Sequence, residues 1–329
     1  MINIELPWLT DAVRGLEDRI AYGRMPHAVM LLGPVGVGKR CLAAWLVRRH
    51  LGVAAVPVMP AYPCQIPELA DLRWLKPADD KAAIGIDAVR DLIADLALTS
   101  YAGRGKVAVI EPADAMTTSA ANSLLKTLEE PTGNALLILV VDRSGHLPAT
   151  VVSRCQHLDI ALPPVRDSLA WLNSLSRSDR WPAALHLADY APLLAVDASE
   201  LQGDAEALAR DFTALANNEA RPLQTAARWM RLDTGFVLDW LCREVQHGIR
   251  LSFGQVADPA AAIPDFVLQR MDRRKLFCYL DIINRIRSQP AGSYNVQLTL
   301  ESLLIDWADG LRDCRSTGDP DAMRLSFTR

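Results

Sequence analysis

The residues best placed to do chemistry in this sequence form a glycine-rich stretch near its start. Residues 33–39, GPVGVGK, match the pattern G-x-x-x-x-G-K of a phosphate-binding loop, or P-loop. In such a loop the glycines let backbone N–H groups turn toward phosphates, the next helix adds a positive dipole, and the lysine neutralises the β and γ oxygens. The pattern predicts a nucleotide-binding fold whose binding positions are Gly33, Gly36, Gly38, Lys39 and Arg40.

Two positions that should complete an ATPase site carry unsuitable residues. A P-loop lysine is normally followed by Ser or Thr, whose hydroxyl holds Mg²⁺, but Arg40 has no acceptor and repels a cation. The strand that should end in a metal-binding Asp and a water-orienting Glu instead runs into Glu111 and Pro112. Glu111 has the reach to contact a metal, whereas Pro112 has no side chain that activates water. We therefore expect no hydrolysis by this chain alone.

The elements that must position this loop alternate along the first half of the chain. Short apolar strands are separated by helix-period segments, among them residues 40–49, 86–96 and 119–128, which is typical of an α/β domain with a parallel sheet. The P-loop follows the first of these strands. The strand candidates are residues 28–32, 72–75, 106–110, 136–141 and 157–160.

The strand signals end at a proline pair, Pro163 and Pro164, and the rest of the chain has helical patterns. Its first part is short and interrupted by prolines, whereas its second part carries long amphipathic segments at 236–249, 276–286 and 298–311. The sequence thus predicts three domains, which are an α/β P-loop domain at 1–162, a small helical lid at 163–204 and an all-helical domain at 205–329.

Composition excludes several classes of protein. The chain has 329 residues with 35 basic and 39 acidic side chains, so its net charge of −4 excludes a polybasic nucleic-acid coat. No apolar run reaches the roughly 18 residues of a membrane span, and the acidic start lacks the order of a signal peptide. We therefore expect a cytoplasmic protein without a membrane partner. Its six cysteines form no C-x-x-C pair and are expected to be reduced: 41, 64, 155, 242, 278 and 314.

Two further stretches carry a resemblance to a known family. Residues 124–131, LLKTLEEP, preceded by AAN at 120–122, and the tripeptide Ser153-Arg154-Cys155 resemble signature segments of the AAA+ clamp-loader subunits of bacterial DNA polymerase III. Residues 26–28, PHA, the pair Lys39-Arg40 and the missing Asp-Glu make the delta-prime subunits the closest likeness. The resemblance is specific over residues 1–162 and fainter beyond, where residues 295–307 are similar to the last collar helix of those subunits.

The resemblance implies a fold and a role. The fold would be a RecA-like AAA+ domain followed by a lid and an oligomerising collar. The chain would act with gamma/tau and delta subunits in a pentameric loader that opens a sliding clamp and places it on primer-template DNA. It would be a stator of the polymerase III holoenzyme, without catalytic activity of its own. The alternative is an ATP-hydrolysing, gamma/tau-like motor, because Gly36, Gly38 and Lys39 are retained. The sequence leaves open weak binding of ATP or ADP.

The resemblance also implies a role for Arg154. In this family the Ser-Arg-Cys segment supplies an arginine finger to ATP bound by the neighbouring subunit, where a guanidinium stabilises charge on the γ-phosphate. Without the resemblance, Arg154 would be an ordinary surface arginine. Cys155 is expected to be a packing residue. Lys126, Glu129 and Glu130 are either a solvated helix end or interface contacts.

Three departures from the family pattern affect the site. Only Cys64 lies where many relatives carry a four-cysteine zinc knuckle, so we expect no metal. The two nucleotide-sensing positions fall on the apolar residues Val141 and Leu194. Residues 269–287 carry six basic and two acidic side chains, which either contact DNA phosphates or form a solvated helix face; base stacking is not expected there.

Overall fold

The computed structural model describes residues 3–54, 56–78, 81–131, 133–255, 260–289 and 293–312. Cys314 and the C-terminal tail lie outside these ranges. The chain divides into two compact units, which we call the N-terminal unit (Met1–Arg177 and Ala191–Leu194) and the C-terminal unit (Ser178–Tyr190 and Ala195–Arg329). Among the described residues, no helix has both the length and the apolar character needed to cross a bilayer.

The N-terminal unit is built on a five-stranded parallel sheet. Its strands are β2 (Ala28–Leu32), β4 (Leu72–Leu75), β5 (Val107–Ile110), β6 (Leu136–Val141) and β7 (Gln156–Asp159), in the spatial order β4-β5-β6-β2-β7. All residues of β5 and β6 are buried, as expected for strands covered on both faces. This order puts the P-loop strand β2 between β6 and β7, so residues that follow those two strands border the loop. The predicted α/β domain with a parallel sheet is confirmed.

Helices flank this sheet, and a two-stranded antiparallel ribbon is formed by β1 (Ile4–Glu5) and β3 (Ala61–Tyr62). These strands were absent from the sequence prediction because two residues are too few to show an alternating pattern. The helices are α1 (Thr10–Ala21), α2 (Lys39–His50), α3 (Ile86–Leu96), α4 (Thr118–Ser123), α5 (Leu125–Glu129), α6 (Ala149–Val152) and α7 (Val165–Leu175).

Several predicted boundaries differ from the structure. Strand β5 begins at Val107 rather than at 106, and β7 lies one residue earlier than predicted. The single helix expected at 119–128 is two helices, α4 and α5, which meet at Leu124. The Leu124 amide donates to the Ala121 carbonyl, three residues back, at 3.2 Å, and this tighter turn separates the two helices.

The C-terminal unit is helical, as predicted. Helix α12 (Thr234–Ser252) packs on α14 (Arg273–Arg287), and α15 (Val296–Ala308) packs on both α10 (Gln202–Ala216) and α11 (Pro222–Trp229). The core is aromatic, since the rings of Phe212 and Trp307 stack at 3.9 Å and Trp240 meets Phe212 edge-on. Its helices are α8 (Trp181–Leu187), α10 (Gln202–Ala216), α11 (Pro222–Trp229), α12 (Thr234–Ser252), α13 (Asp265–Gln269), α14 (Arg273–Arg287) and α15 (Val296–Ala308), while α9 (Pro192–Ala198) spans the junction of the two units.

Candidate functional site: a self-bonded P-loop and an exposed arginine

The P-loop lies between β2 and α2, as its motif predicts. The Gly33 amide donates to the Val141 carbonyl at 3.2 Å, and the Ile160 amide donates to the Leu32 carbonyl at 2.7 Å. A methyl group at Gly33 would lie 2.1 Å from the Ile160 carbonyl oxygen, so this position accepts glycine alone. The ends of β6 and β7 therefore hold the start of the loop.

Apolar side chains cover the centre of the loop. Gly36 and Gly38 have φ angles of +81° and +94°, which favour glycine. A methyl group at Gly36 would lie 2.6 Å from Leu194 Cγ, and one at Gly38 would lie 2.7 Å from Leu6 Cδ1. The Leu193 amide also donates to the Gly36 carbonyl at 3.1 Å. The glycines thus leave room for leucines from elsewhere in the N-terminal unit.

Lys39 is bonded inside the protein. Its side chain is only 4% exposed, and Nζ donates to the carbonyls of Gly33 at 2.6 Å and Pro34 at 2.5 Å. Nζ also lies 2.8 Å from Oδ1 of Asp142, the residue that follows β6. The lysine that would neutralise phosphate oxygens already has three oxygen partners within the chain.

Arg40 and Glu111 form an ion pair at the position where a motor subunit would hold Mg²⁺. Arg40 Nε lies 2.6 Å from Glu111 Oε1, and the Trp74 indole N–H donates to Glu111 Oε2 at 2.9 Å. Glu111 is buried, whereas half of the Arg40 side chain is exposed. Both carboxylate oxygens are thus occupied. Pro112 follows Glu111 in a cis peptide and brings no polar side chain to this corner.

This arrangement does not fit Mg·ATP bound in the manner of a P-loop ATPase. Such binding needs a free lysine ammonium, an oxygen ligand after it and a carboxylate available to the metal. Here Lys39 is bonded to the chain, Arg40 brings a positive charge, and Glu111 is paired with it. Among the residues that the structure describes, no group of three or more His, Cys, Asp or Glu side chains is arranged to hold a metal ion.

The sequence prediction missed three partners of this site. Asp142 lies directly after the apolar Val141, so a polar side chain does reach the loop from the end of β6, one residue beyond the predicted sensing position. Trp74 bonds Glu111, and the Trp8 indole N–H donates to the Val37 carbonyl at 2.9 Å. The sequence offered one signal for these partners, which is the position of Asp142 directly after a buried strand.

Arg154 and Glu129, one from each signature segment, form an ion pair on the surface of the N-terminal unit. Arg154 Nη2 lies 2.7 Å from Glu129 Oε1, and its Nη1 donates to the Thr150 carbonyl at 3.0 Å. The Arg154 side chain is 37% exposed. The structure therefore brings together two segments that stand 25 residues apart in sequence. Lys126 and Glu130 are exposed.

Two neighbouring residues of these motifs have structural contacts. The His27 Nε2 atom lies 2.9 Å from the Leu128 carbonyl oxygen at the end of α5, which ties the start of β2 to the signature helix. Cys155 is half-buried against the core beneath the sheet, and burial raises the pKa of its thiol to about 11. A thiol with so high a pKa is a poor nucleophile, in keeping with a packing role.

The basic segment 269–287 lies on α14 and the turn before it, in the C-terminal unit. Arg287 pairs with Asp239, and Lys275 Nζ donates to the Arg312 carbonyl at 3.2 Å. Arg273 lies over the ring of Phe253 at 4.8 Å, and Arg270 lies over Phe266 at 5.2 Å. Exposed aromatic rings therefore stand beside the arginines, which the sequence prediction did not expect.

Comparisons with known proteins support the resemblance to delta-prime subunits. The family model described as "DNA polymerase III, delta subunit" matches residues 8–164. The DNA polymerase III subunit delta' of Pseudomonas aeruginosa is 29% identical over 323 residues, which cover 92% of this chain and 97% of that protein. The subunit delta' of Haemophilus influenzae is 29% identical over 311 residues, or 89% of this chain and 94% of that protein.

A relative named tau matches a smaller part of the chain. The DNA polymerase III subunit tau of Escherichia coli is 30% identical over 143 residues, which cover 43% of this chain and 22% of that protein. The likeness to subunits named delta' thus extends over nearly the whole chain, while the likeness to tau covers less than half of it. The resemblance inferred from the signature segments is confirmed: the chain is similar to DNA polymerase III delta-prime subunits over nearly its whole length.

Proposed function

We propose that this chain is the stator-type subunit of a DNA polymerase III clamp loader and helps to load the sliding clamp onto primed DNA. The observation that carries the proposal is a P-loop whose lysine and following arginine are both bonded within the chain, in a protein similar to a delta' subunit over 92% of its length. A subunit of this kind contributes a rigid surface to its neighbours rather than a cycle of hydrolysis.

The absence of intrinsic ATPase activity is part of this proposal. Hydrolysis at a P-loop requires Mg²⁺ to neutralise charge on the β and γ oxygens and a side chain to orient water. The guanidinium of Arg40 sits 2.6 Å from Glu111, the acidic side chain directly after β5, and Pro112 follows it. Leu194 and Leu6 lie against the loop glycines, and these apolar contacts support the absence of tight nucleotide binding.

The catalytic contribution we propose is made in trans by Arg154. Its guanidinium is partly exposed, and Glu129 and the Thr150 carbonyl hold it in a defined position. A positioned arginine loses little conformational entropy when it meets a phosphate, which suits an arginine finger that acts on a neighbour's ATP. In this role Glu129 is a positioning residue.

The partners we propose are gamma/tau and delta subunits, with the clamp and primer-template DNA contacted through the complex, in the cytoplasm. We also propose the three-part division into an AAA+ domain at 1–162, a lid at 163–204 and a collar at 205–329. The alternative, a gamma/tau-like motor, retains the support of Gly36, Gly38 and Lys39. The engaged state of Lys39 and the partial match to tau favour the stator.

Reconstitution tests this proposal. The chain is mixed with gamma/tau and delta subunits, and assembly is measured by size exclusion before ATP turnover is measured with clamp and primed DNA. We expect a stable complex with the wild-type chain. With Arg154→Ala we expect assembly to persist while the ATP site that it serves slows by about 10³-fold or more.

The matched control is Arg90→Ala, which removes an exposed arginine from a surface ion pair with Asp87 on α3. It is expected to leave both assembly and turnover unchanged. Turnover equal to wild type in the Arg154→Ala complex would remove Arg154 from the mechanism. Failure of the wild-type chain to assemble, or ordinary motor-level hydrolysis by the isolated chain, would overturn the stator proposal itself.

A further inference from the structure

A cavity of about 250 Å³ lies in the N-terminal unit, beside the helix that follows the P-loop, and is unused by the proposed function. It is bordered by one side of α2 and by the proline-rich segment that leads through β3. Two cysteines line it, together with Trp45, Arg48 and Gln65. A pocket with paired thiols and a guanidinium is a setting for thiol chemistry.

The two cysteines come from different elements. Cys41 lies in the first turn of α2, two residues after Lys39, and is buried. Cys64 follows the cis Tyr62–Pro63 bond just after β3 and is half-buried. Both side chains line the same cavity, and each thiol shifts the pKa of the other. A disulfide bond between them would join α2 to the segment that follows β3 across this cavity.

The charges around the pair make the two thiols unequal. The side chain of Cys41 holds the pKa of Cys64 below its usual value, against the effect of burial, and the positive charges of Arg40 and Arg48 act in the same direction. The carboxylate of Glu111 opposes them. The side chain of Cys64, together with burial, raises the pKa of Cys41. Cys64 is therefore the thiol that ionises first and the one that an entering molecule meets.

We propose that Cys64 and Cys41 form a reactive dithiol site that takes small-molecule disulfides of the glutathione class and closes into an intramolecular disulfide. The Cys64 thiolate attacks one sulfur of the disulfide, a mixed disulfide forms, and the first thiolate leaves. Cys41 then gives up its proton and attacks Cys64 Sγ, which releases the second thiolate. The two protein thiols are oxidised to one disulfide bond. The small-molecule disulfide is reduced to two thiols, which take up the two protons.

Arg48 gives this site a preference for an anionic reagent. It lines the cavity, and its Nη2 donates to the Gln65 carbonyl at 3.0 Å, one residue beyond Cys64. Glutathione disulfide carries carboxylates that a guanidinium attracts. A closed disulfide would fasten residues 61–65 to the helix that carries Lys39 and Arg40.

The experiment uses the full chain, reduced and then equilibrated without oxygen in glutathione buffers of increasing oxidised fraction. Remaining thiols are counted with a maleimide after denaturation, and peptides are mapped by mass spectrometry. We expect the count to fall from six to four, with a single cross-link between the peptides of Cys41 and Cys64. Arg48→Ala is expected to slow the reaction with glutathione disulfide more than that with an uncharged disulfide.

The matched controls change one cysteine each. Cys64→Ser should abolish the cross-link, while Cys155→Ser should leave it intact and lower the starting count by one. In the native reduced chain, Cys64 should react with an alkylating agent at pH 7 at least about 100-fold faster than Cys155, whose pKa is about 11. Six free thiols at every glutathione ratio in folded wild-type chain, or a cross-link to another cysteine, would overturn the proposal without bearing on the loader function.

Discussion

Lys39 keeps the identity of a nucleotide-binding lysine but has the contacts of a structural one. Its ammonium joins the start of the P-loop, through Gly33 and Pro34, to Asp142 at the end of β6. The Lys39 side chain is 4% exposed, so its ammonium group is satisfied within the chain. Lys39 therefore stabilises the contact between the start of the P-loop and the carboxyl end of β6.

We expect Lys39→Met to lower the free energy of unfolding of the isolated chain by about 2–4 kcal/mol. The variant keeps the apolar stem but removes hydrogen bonds from a charged donor and leaves Asp142, which is 26% exposed, without its partner. Urea unfolding followed by tryptophan fluorescence measures the change.

The control is Lys126→Met, at an exposed lysine of the same unit, with an expected change within about 0.5 kcal/mol. A Lys39→Met chain that is as stable as the control, and that has lost tight ATP binding present in the wild type, would contradict the structural role.

Much of this site was predictable at the level of residue type. The motif places the glycines and Lys39, and the identity of Arg40 and Pro112 already opposes metal binding. The pairing of Arg40 with Glu111 was not predictable, because these residues lie 71 positions apart and meet through the order of strands in the sheet. The contact of Asp142 with Lys39 depends on the same order.

At the scale of elements, the connection between α3 and β5 is organised by one carboxylate. Asp71, 5% exposed just before β4, accepts hydrogen bonds from the Ser100 hydroxyl and the amides of Tyr101 and Ala102 at 2.8–3.0 Å. The amides of Ala102 and Tyr101 hold the pKa of Asp71 below its usual value, and the hydroxyl of Ser100 adds to this. The loop therefore depends on the charged form of Asp71.

We expect this contribution to be lost in acid. Because the folded-state pKa lies below the unfolded value of about 3.9, the stabilisation is fully present above pH 4 and disappears as pH falls through the folded pKa. Asp71→Asn should thus be less stable than wild type at pH 6, and the difference should shrink at pH 3. Urea unfolding at the two pH values measures it.

Asp87→Asn provides the comparison, at a side chain that is 91% exposed on α3, with less than about 0.5 kcal/mol expected at either pH. A difference between wild type and Asp71→Asn that stays constant from pH 6 to pH 3 would show that the ionised form of Asp71 is not what orders the loop.

Elements formed by a continuous run of apolar residues were predictable from the sequence, whereas elements defined by a few backbone hydrogen bonds were not. Strands β2, β4 and β6 have the predicted bounds because each is a continuous apolar or half-apolar run. The ribbon of β1 and β3 exists through pairing between residues almost sixty positions apart. The break at Leu124 likewise depends on one backbone hydrogen bond, which no side-chain pattern marks.

At the scale of the whole molecule, each of the two units has a core of its own. The N-terminal core is aliphatic and lies against the sheet, whereas the C-terminal core gathers Phe212, Trp229, Trp240 and Trp307. Trp307 also donates from its indole N–H to the Phe212 carbonyl at 3.0 Å. Helix α15, near the end of the described chain, thereby closes the C-terminal core.

We expect Trp307→Ala to destabilise the C-terminal unit by about 3–5 kcal/mol, because it removes a fully buried ring and a buried hydrogen bond. The thiol of Cys278, buried on α14, should become reactive at lower urea concentration than in the wild type. The half-buried Cys155 should keep its wild-type profile, because it belongs to the N-terminal unit. Thiol labelling across a urea series, resolved by peptide mapping, measures both.

The matched change is Phe277→Ala, at an aromatic residue of α14 that is 43% exposed. It should change the urea concentration at which either thiol becomes reactive only slightly. Equal early exposure of Cys155 and Cys278 in Trp307→Ala would mean that the two cores unfold as one.

The pairing of Arg40 with Glu111 has a consequence for substitutions at this corner. Replacing Arg40 by threonine, the first step back toward a metal site, leaves a buried carboxylate with only the Trp74 hydrogen bond and no cation. Lys39 must also leave three oxygen partners before it meets phosphate. Each of these changes is unfavourable until the others have occurred, so no single substitution at this corner would turn the loop into a site for Mg·ATP.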